Sequence, residues 1–196
     1  MDRTDKCKIC RRAGEKLFLK GDKCYMPNCP VTRRAYAPGQ HGKASEGRRK
    51  ISDFGLQLME KQKAKAIYGI TERQMLTYYN QSRKIRGATG ETLMKLLELR
   101  VDNIVFRLGW GLSRNQARQF VNHGHIKVNG KKVDIASYQV SVGDEIQIDI
   151  KGLEVSKNLP EWLSAQGSTA KIVSEPIFDS AQSPINEQLM IEYYSR

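Results

Sequence analysis

The sequence predicts an α+β protein: a cysteine-rich amino-terminal arm, a small helical domain, and an inserted domain of helices plus a small antiparallel sheet. Three observations carry that prediction. All four cysteines lie within the first thirty residues, helix signals recur from Ser52 to Val121, and an Asn129-Gly130 pair stands between alternating apolar residues. The domain edges that follow are 1–45 for the arm, 46–92 for the helical domain and 93–175 for the sheet-containing domain, with 176–196 packing back on the helical one.

Two residues separate Cys7 from Cys10, four separate Cys24 from Cys29, and thirteen lie between the pairs. Each short spacing lets one turn aim two sulfurs at a common centre, and the run Arg11 to Lys23 can return the chain as a loop or hairpin. Four thiolates satisfy a tetrahedral ion and leave no open position, so the expected ion is structural. Zinc is the default, and an iron–sulfur cluster held by the same four cysteines is the alternative. Two disulfides fit the count as well, but disulfides belong to oxidising compartments and the start Met1-Asp2-Arg3-Thr4 lacks the apolar run of an export signal.

The arm continues through Arg33-Arg34-Ala35-Tyr36-Ala37-Pro38-Gly39-Gln40-His41-Gly42-Lys43 to Arg48-Arg49-Lys50, basic and without an apolar period. Its Pro-Gly and His-Gly pairs predict an irregular segment. From Ser52, residues Phe54, Leu56, Leu58, Met59, Ala66 and Ile67 fall at helical spacing beside Lys61, Lys63 and Lys65, and Gly69 closes the run. Thr71-Glu72-Arg73-Gln74 is a capping-box signature for a helix through Met75, Leu76, Tyr78 and Tyr79 to the neighbourhood of Ile85. Arg83, Lys84 and Arg86 gather at its end, where they suit the helix dipole. A third helical stretch starts after Thr89-Gly90, with Leu93, Leu96 and Leu97 at core spacing. Asp102 is expected to cap a continuation through Ile104, Val105 and Leu108 that stops at Gly109-Trp110-Gly111.

Ser113-Arg114-Asn115-Gln116 forms a second capping box, with Ala117, Phe120 and Val121 as its apolar face and Gly124 after His123 as the stop. Ile126-Lys127-Val128 and Lys132-Val133 flank Asn129-Gly130, a strong hairpin signal because both turn positions need positive φ. Val140 and Val142, then Ile146, Ile148 and Ile150, predict two further alternating strands. Residues 151–184 are dominated by Ser, Ala, Gln, Gly and Thr, and Trp162-Leu163 reads there as a short docking turn. The closing run Leu189-Met190-Ile191-Glu192-Tyr193-Tyr194 is expected to pack as an extended segment on the earlier helices.

Thirty-three Lys and Arg stand against 21 Asp and Glu, a net charge of +12. Residues 1–100 hold 23 basic and 10 acidic residues, so the whole excess lies in the first half. A field that lopsided attracts polyanions, either nucleic acid or an anionic membrane surface. No apolar run is long enough to span a bilayer, and a soluble intracellular protein is expected. The RNA-binding candidates in the arm are Arg11, Arg12, Arg33, Arg34, Gln40, His41, Lys43, Arg48, Arg49 and Lys50. On the helices they are Lys61, Lys63, Lys65, Arg73, Arg83, Lys84 and Arg86. At the helix and hairpin they are Arg114, Arg118, His123, His125, Lys127, Asn129 and Lys131. Arginines give bidentate phosphate contacts, and polar donors on one edge of a small sheet read an RNA helix by shape.

No catalytic constellation stands out. The glycines at Gly87, Gly90, Gly109 and Gly111 complete neither a dinucleotide fingerprint nor a phosphate loop, and all three histidines sit in basic segments without an acid–base partner. An RNA-modifying enzyme carrying the helix-hairpin as a targeting appendage is one alternative, and a DNA-binding regulator using the cysteine module as a finger is another. The first lacks its catalytic pair, and the second lacks a clean recognition helix between Arg11 and Lys23.

Taken in order, the cysteine set, Tyr36-Ala37-Pro38-Gly39-Gln40-His41-Gly42, Leu58-Met59-Glu60-Lys61-Gln62-Lys63, Arg100-Val101-Asp102-Asn103-Ile104-Val105, the helix-hairpin Ser113 to Asp134 and the ending Ile185 to Arg196 resemble the bacterial small-subunit ribosomal protein S-four family. The resemblance covers nearly the whole chain. It implies a structural component of the small ribosomal subunit and a primary binder of 16S rRNA that nucleates assembly of the subunit body. It also implies a place where mRNA enters the subunit, beside proteins S five, S three and S twelve, with an influence on translational accuracy. Location would be cytoplasmic and ribosome-bound, with no membrane partner. The family has members with and without cysteines, and this chain keeps all four positions, which again implies a bound metal.

Overall fold

In the computed structural model, which describes residues 5–43, 51–150, 152–153, 155–156, 158–177 and 184–195, helix ends follow local capping chemistry. Asp5 opens α1 (Lys6–Ala13) by accepting the Cys7 N–H at 3.0 Å, and Gly14 closes it at φ 78°. A 3₁₀ turn (Gly21–Cys24) and α2 (Pro30–Arg33), with proline at its first position, follow. Ser52 caps α3 (Asp53–Tyr68) by accepting the Gly55 N–H. The Thr71 to Gln74 capping box forms in both directions, Gln74 N–H to Thr71 Oγ1 at 3.3 Å and Thr71 N–H to Gln74 Oε1 at 3.1 Å, and starts α4 (Glu72–Ser82). Next come α5 (Thr89–Glu98), α6 (Val101–Arg107) and α7 (Arg114–Asn122). Five strands, β1 (Ile126–Val128), β2 (Lys131–Val133), β3 (Glu145–Ile148), β4 (Leu163–Gln166) and β5 (Thr169–Ile172), precede the closing α8 (Glu187–Ser195). The α+β class and the order of helices before sheet are those expected.

The chain divides into two compact units, Met1–Asn80 with Ser180–Arg196, and Gln81–Asp179. In the first, α8 packs along α3 with Met190 fully buried, and the Tyr79 and Tyr194 rings stack at 4.9 Å. Of the 176–196 segment expected to pack back on the helical domain, Glu187–Ser195 does so, as a helix rather than an extended segment, whereas 176 and 177 fall in the second unit. Asn186 caps it, its side-chain oxygen accepting the Leu189 N–H at 3.2 Å, and Met190, Tyr193 and Tyr194 then share one helical face.

In the second unit the strands form an antiparallel sheet in the order β2-β1-β3-β5-β4. Ile126 stands opposite both Val133 and Ile148, and Ile146 opposite both Val128 and Ala170, so one face of the sheet is apolar. That face meets Val101, Ile104, Val105, Leu108, Ala117, Val121 and Trp110 in a single core. Each large aliphatic chain withdrawn there contributes about 1.5–3 kcal/mol. Asn129 at φ 49° and Gly130 at φ 76° make the expected hairpin turn.

Three expectations need correction here. Only Glu145–Ile148 forms a strand in the 140–150 region; Val140 donates its N–H to Leu99 O at 3.1 Å, and Val142 is exposed. Trp162 and Leu163 are buried, and Leu163 begins a hairpin rather than a docking turn. Arg100, not Asp102, occupies the cap position of α6. The division after Asn80 also precedes the edge expected at 92/93, because α5, with Leu93, Met94 and Leu97 buried, packs on α6. Among the described residues no helix is long and apolar enough to cross a membrane.

Candidate nucleic-acid interface and cysteine module

The cysteine spacing becomes geometry in the arm. Cys7 and Cys10 lie one turn apart on α1, Cys24 ends the 3₁₀ turn and Cys29 caps α2. None is in a disulfide, and Cys10, Cys24 and Cys29 are buried. The Lys20 N–H donates to Cys24 Sγ at 3.4 Å. Burial pushes the Cys10 thiol up, a backbone hydrogen bond from Leu17 pulls against it, and charge on Cys24, Cys7 and Cys29 pushes it further up. Among the described residues no group of three or more His, Cys, Asp or Glu side chains is arranged as a preformed metal cage. The donor chemistry, four soft sulfurs with a backbone N–H aimed at one of them, fits zinc or an iron–sulfur cluster.

Beside the module opens a cleft of about 430 Å³ lined by Asp5, Cys7, Lys8, Arg11, Lys20, Asn28, Pro30, Arg33 and Arg34. Five cations against one carboxylate give it a net positive lining, with Lys20 3.7 Å from Asp5. Arg33 and Arg34 are exposed, as expected of phosphate contacts. Arg11 instead holds the backbone. Its guanidinium donates to Tyr36 O at 3.0 Å and Ala37 O at 3.4 Å and lies over the Tyr36 ring at 4.9 Å. It thus pins the start of the Tyr36-to-Gly42 run to α1. Arg12, Gln40, His41 and Lys43 are exposed; Arg48, Arg49 and Lys50 lie outside the described residues. Lys8 and Lys20 were not among the sequence candidates. For Lys8 the readable signal is helical spacing, since Cys7, Lys8 and Arg11 stand at i, i+1 and i+4 on α1.

The three lysines of α3 do not offer free charges. Lys61 is 4% exposed, holds Glu72 Oε1 at 2.9 Å and lies over the Tyr193 ring at 4.0 Å. Lys63 bridges Glu15 at 2.5 Å and Glu60 at 2.6 Å, and Lys65 holds Glu72 Oε2 at 2.8 Å. These charges are spent inside the first unit because Glu72 takes Lys61 and Lys65 on one side of the helix and Glu15 and Glu60 take Lys63 on the other. Arg73 remains exposed, as do Arg83, Lys84 and Arg86 at the start of the second unit.

The helix-hairpin candidates divide in the same way. His123 and Lys131 are exposed, and His125 is half-buried with its ring centroid 6.1 Å from that of His123. Lys127 reaches Asp149 at 3.5 Å. Asn129, however, is a structural residue. Its amide donates to Asp144 Oδ1 at 2.8 Å and its oxygen accepts the Glu145 N–H at 2.9 Å, locking the turn onto β3. Arg114 donates to Asn103 Oδ1 at 2.9 Å over the Phe106 ring, and Arg118 lies 3.9 Å from Asp102.

Two family models match the chain, the ribosomal protein S4/S9 N-terminal domain over residues 2–98 and the S4 domain over 99–146. A protein of Clostridium beijerinckii named small ribosomal subunit protein uS4 is 52% identical, over 97% of this chain and 96% of its own length. The chain belongs to the uS4 family. Proteins named uS4A from Clostridium perfringens, at 52%, and Clostridium novyi, at 51%, match over the same 97% and 96%. The family is structural and non-enzymatic, in agreement with the absence of a catalytic constellation in the sequence.

Within this uS4-family chain the boundary between the two matches falls at the α5–α6 junction, and the polar groups there form a buried network that sequence reading did not assign. Arg100, with no exposure, holds both oxygens of Asp102 at 3.0 and 2.7 Å. Glu98 takes Arg107 through two bonds of 2.9 and 2.8 Å and accepts from Asn103 at 2.8 Å, and Asn103 in turn accepts from Arg114. The network ties α5 and α6 to α7, the helix that precedes the hairpin, so the S4-domain match rests on a rigid base.

Proposed function

We propose that the chain is a structural constituent of the small ribosomal subunit in the cytoplasm and a primary binder of 16S rRNA, whose arm and S4 domain hold RNA helices without any catalytic step. The observation that carries this reading is the cleft that presents Lys8, Lys20, Arg33 and Arg34 in a chain whose relatives are named small ribosomal subunit proteins. Neutralised phosphates release counterions, and shape supplies the specificity that charge alone lacks. Exposed Arg73 adds a cation on the first unit, and exposed His123 and Lys131 with half-buried His125 and Lys127 add polar donors on the second. The family resemblance supports early nucleation of the subunit body, contact with proteins S five, S three and S twelve, and an influence on accuracy where mRNA enters.

Two measurements test it. The pair Arg33→Ala and Arg34→Ala should weaken binding to 16S rRNA roughly tenfold near 0.1 M salt and flatten the slope of log affinity against log salt by about 1–2. A chain found only in the free pool after small subunits are sedimented in a salt wash would overturn the reading.

Cys7, Cys10, Cys24 and Cys29 would hold one structural zinc ion, with an iron–sulfur cluster as the alternative. Bound metal would supply cross-linking rather than reactivity, fixing α1, the 3₁₀ turn and α2 around one point. Cys24→Ser should abolish stoichiometric metal in the purified protein while leaving the second unit folded. Metal content by elemental analysis distinguishes zinc from iron, and an unchanged stoichiometry in the variant would refute the four-thiolate site.

A further inference from the structure

Besides Asn129, which its turn explains, Phe18 is the one non-glycine among the described residues with a positive φ, at 50°. An aromatic residue seldom adopts that conformation. Leu17 and Leu19 on either side are buried, at 2% and 9% exposure, while Phe18 faces outward. Its ring packs at 4.9 Å on that of Tyr25, which follows Cys24 and is 73% exposed. Tyr25 is itself set by its N–H bond to Asp22 O at 3.0 Å. The arm therefore fixes two aromatic rings against each other and leaves an outer face in water. Lys16, Lys20 and Lys23 surround the pair in sequence against the single carboxylate of Asp22, and neither Lys16 nor Lys23 is ion-paired with a described residue.

We propose that the Phe18–Tyr25 pair is a stacking platform for one unpaired RNA base, whose flanking phosphates meet Lys16, Lys20 and Lys23. The inference rests on the rRNA-binding reading above and adds a base contact to a surface otherwise argued from phosphates. Flat π faces flanked by cations complement a nucleotide, which presents a ring and an anion together; an aliphatic protein patch would leave the lysines unanswered. The platform adjoins the cleft, sharing Lys20 with it, but the cleft lining contains neither ring.

The test uses the full chain with 16S rRNA and the variants Tyr25→Ala and Tyr25→Trp. Tyr25 lies outside the core, so both should fold. Tyr25→Ala should weaken binding by about 5- to 100-fold with an unchanged salt slope, and should uncover one unpaired base to chemical modification. Tyr25→Trp should retain both affinity and protection. Equal affinity and an identical modification pattern for wild type and Tyr25→Ala would overturn the platform while leaving the rRNA-binding reading intact. So would a defect of Tyr25→Ala that appears only when other subunit proteins are added, which would make the pair a protein contact. Failure of the wild-type chain to bind 16S rRNA at all would overturn both.

Discussion

Asp102→Ala is expected to lower the stability of the Gln81–Asp179 unit by about 3–5 kcal/mol, the cost of removing one partner from a buried ion pair. Arg100 has no solvent exposure and meets Asp102 through two charge-assisted bonds, so truncation leaves a guanidinium inside the core opposite a void. The damage spreads along the chain in both directions. The Asp102 N–H donates to Ala136 O at 3.4 Å and the Val101 N–H to Tyr138 O at 2.9 Å, so the start of α6 is also what holds the segment after β2. Arg118 loses its nearby carboxylate as well. Replacing both partners by apolar residues of similar volume, Arg100→Met with Asp102→Leu, should cost much less, because no charge is then stranded. Trp110 and Trp162 both belong to this unit, so tryptophan fluorescence in a urea titration reads it directly. A midpoint shift with an unchanged slope is the expected result, and a loss below about 1 kcal/mol would mean that water reaches Arg100.

What could be read from residues alone was whatever is decided locally. Thr71 with Gln74, Ser113 with Gln116, Gly69 and Asn129-Gly130 act through bonds within a few residues, and all stand where the sequence puts them. Even here one bond migrates: Gln116 Oε1 accepts the Leu112 N–H at 2.8 Å, while Ser113 still caps Gln116 at 3.4 Å. The β4–β5 hairpin was illegible because Ser164, Ala165, Gln166, Thr169 and Ala170 carry no alternating bulk, and the pairing of β5 to β3 is a long-range event. The charge asymmetry pointed to a polyanion site, and the exposure of Arg33 and Arg34 is compatible with that expectation. It misjudged Lys61, Lys63 and Lys65, since a charge count is blind to partners: only folding brings the distant Glu15 to Lys63, beside Glu60, and Glu72 to both Lys61 and Lys65. Buried Arg100 was hidden for the same reason. An arginine that serves the core looks in sequence like one that serves RNA.

Glu72→Gln should destabilise the first unit by about 2 kcal/mol at neutral pH, chiefly by leaving Lys61 buried without a counter-charge. Burial raises the Glu72 carboxyl, but hydrogen bonds from Lys65, Lys61 and Tyr194 outweigh burial and bring it from 4.5 down to about 2. The reciprocal effect is seen at Tyr194, whose phenol is held above its ordinary value by burial and by its 2.8 Å bond to Glu72. A carboxyl depressed by folding adds stability that is whole above its unfolded pKa and drains away as pH falls through its folded one. The window therefore runs from pH 4.5 down to about 2. Taken at face value the shift amounts to roughly 3 kcal/mol, but the Glu72 side chain is 47% exposed and solvent screening reduces it to about 1 kcal/mol. The gap between wild type and Glu72→Gln should thus narrow by about 1 kcal/mol across that window, because the wild type alone loses its carboxylate there. Near-ultraviolet dichroism of the tyrosines, all but Tyr138 of which belong to the first unit, follows chiefly that unit, with Tyr79, Tyr193 and Tyr194 around this site. A gap that stays constant from pH 7 to 2 would mean that Lys61 and Lys65 are balanced by other groups, and that the Tyr194–Glu72 bond does not help to hold α8 in place.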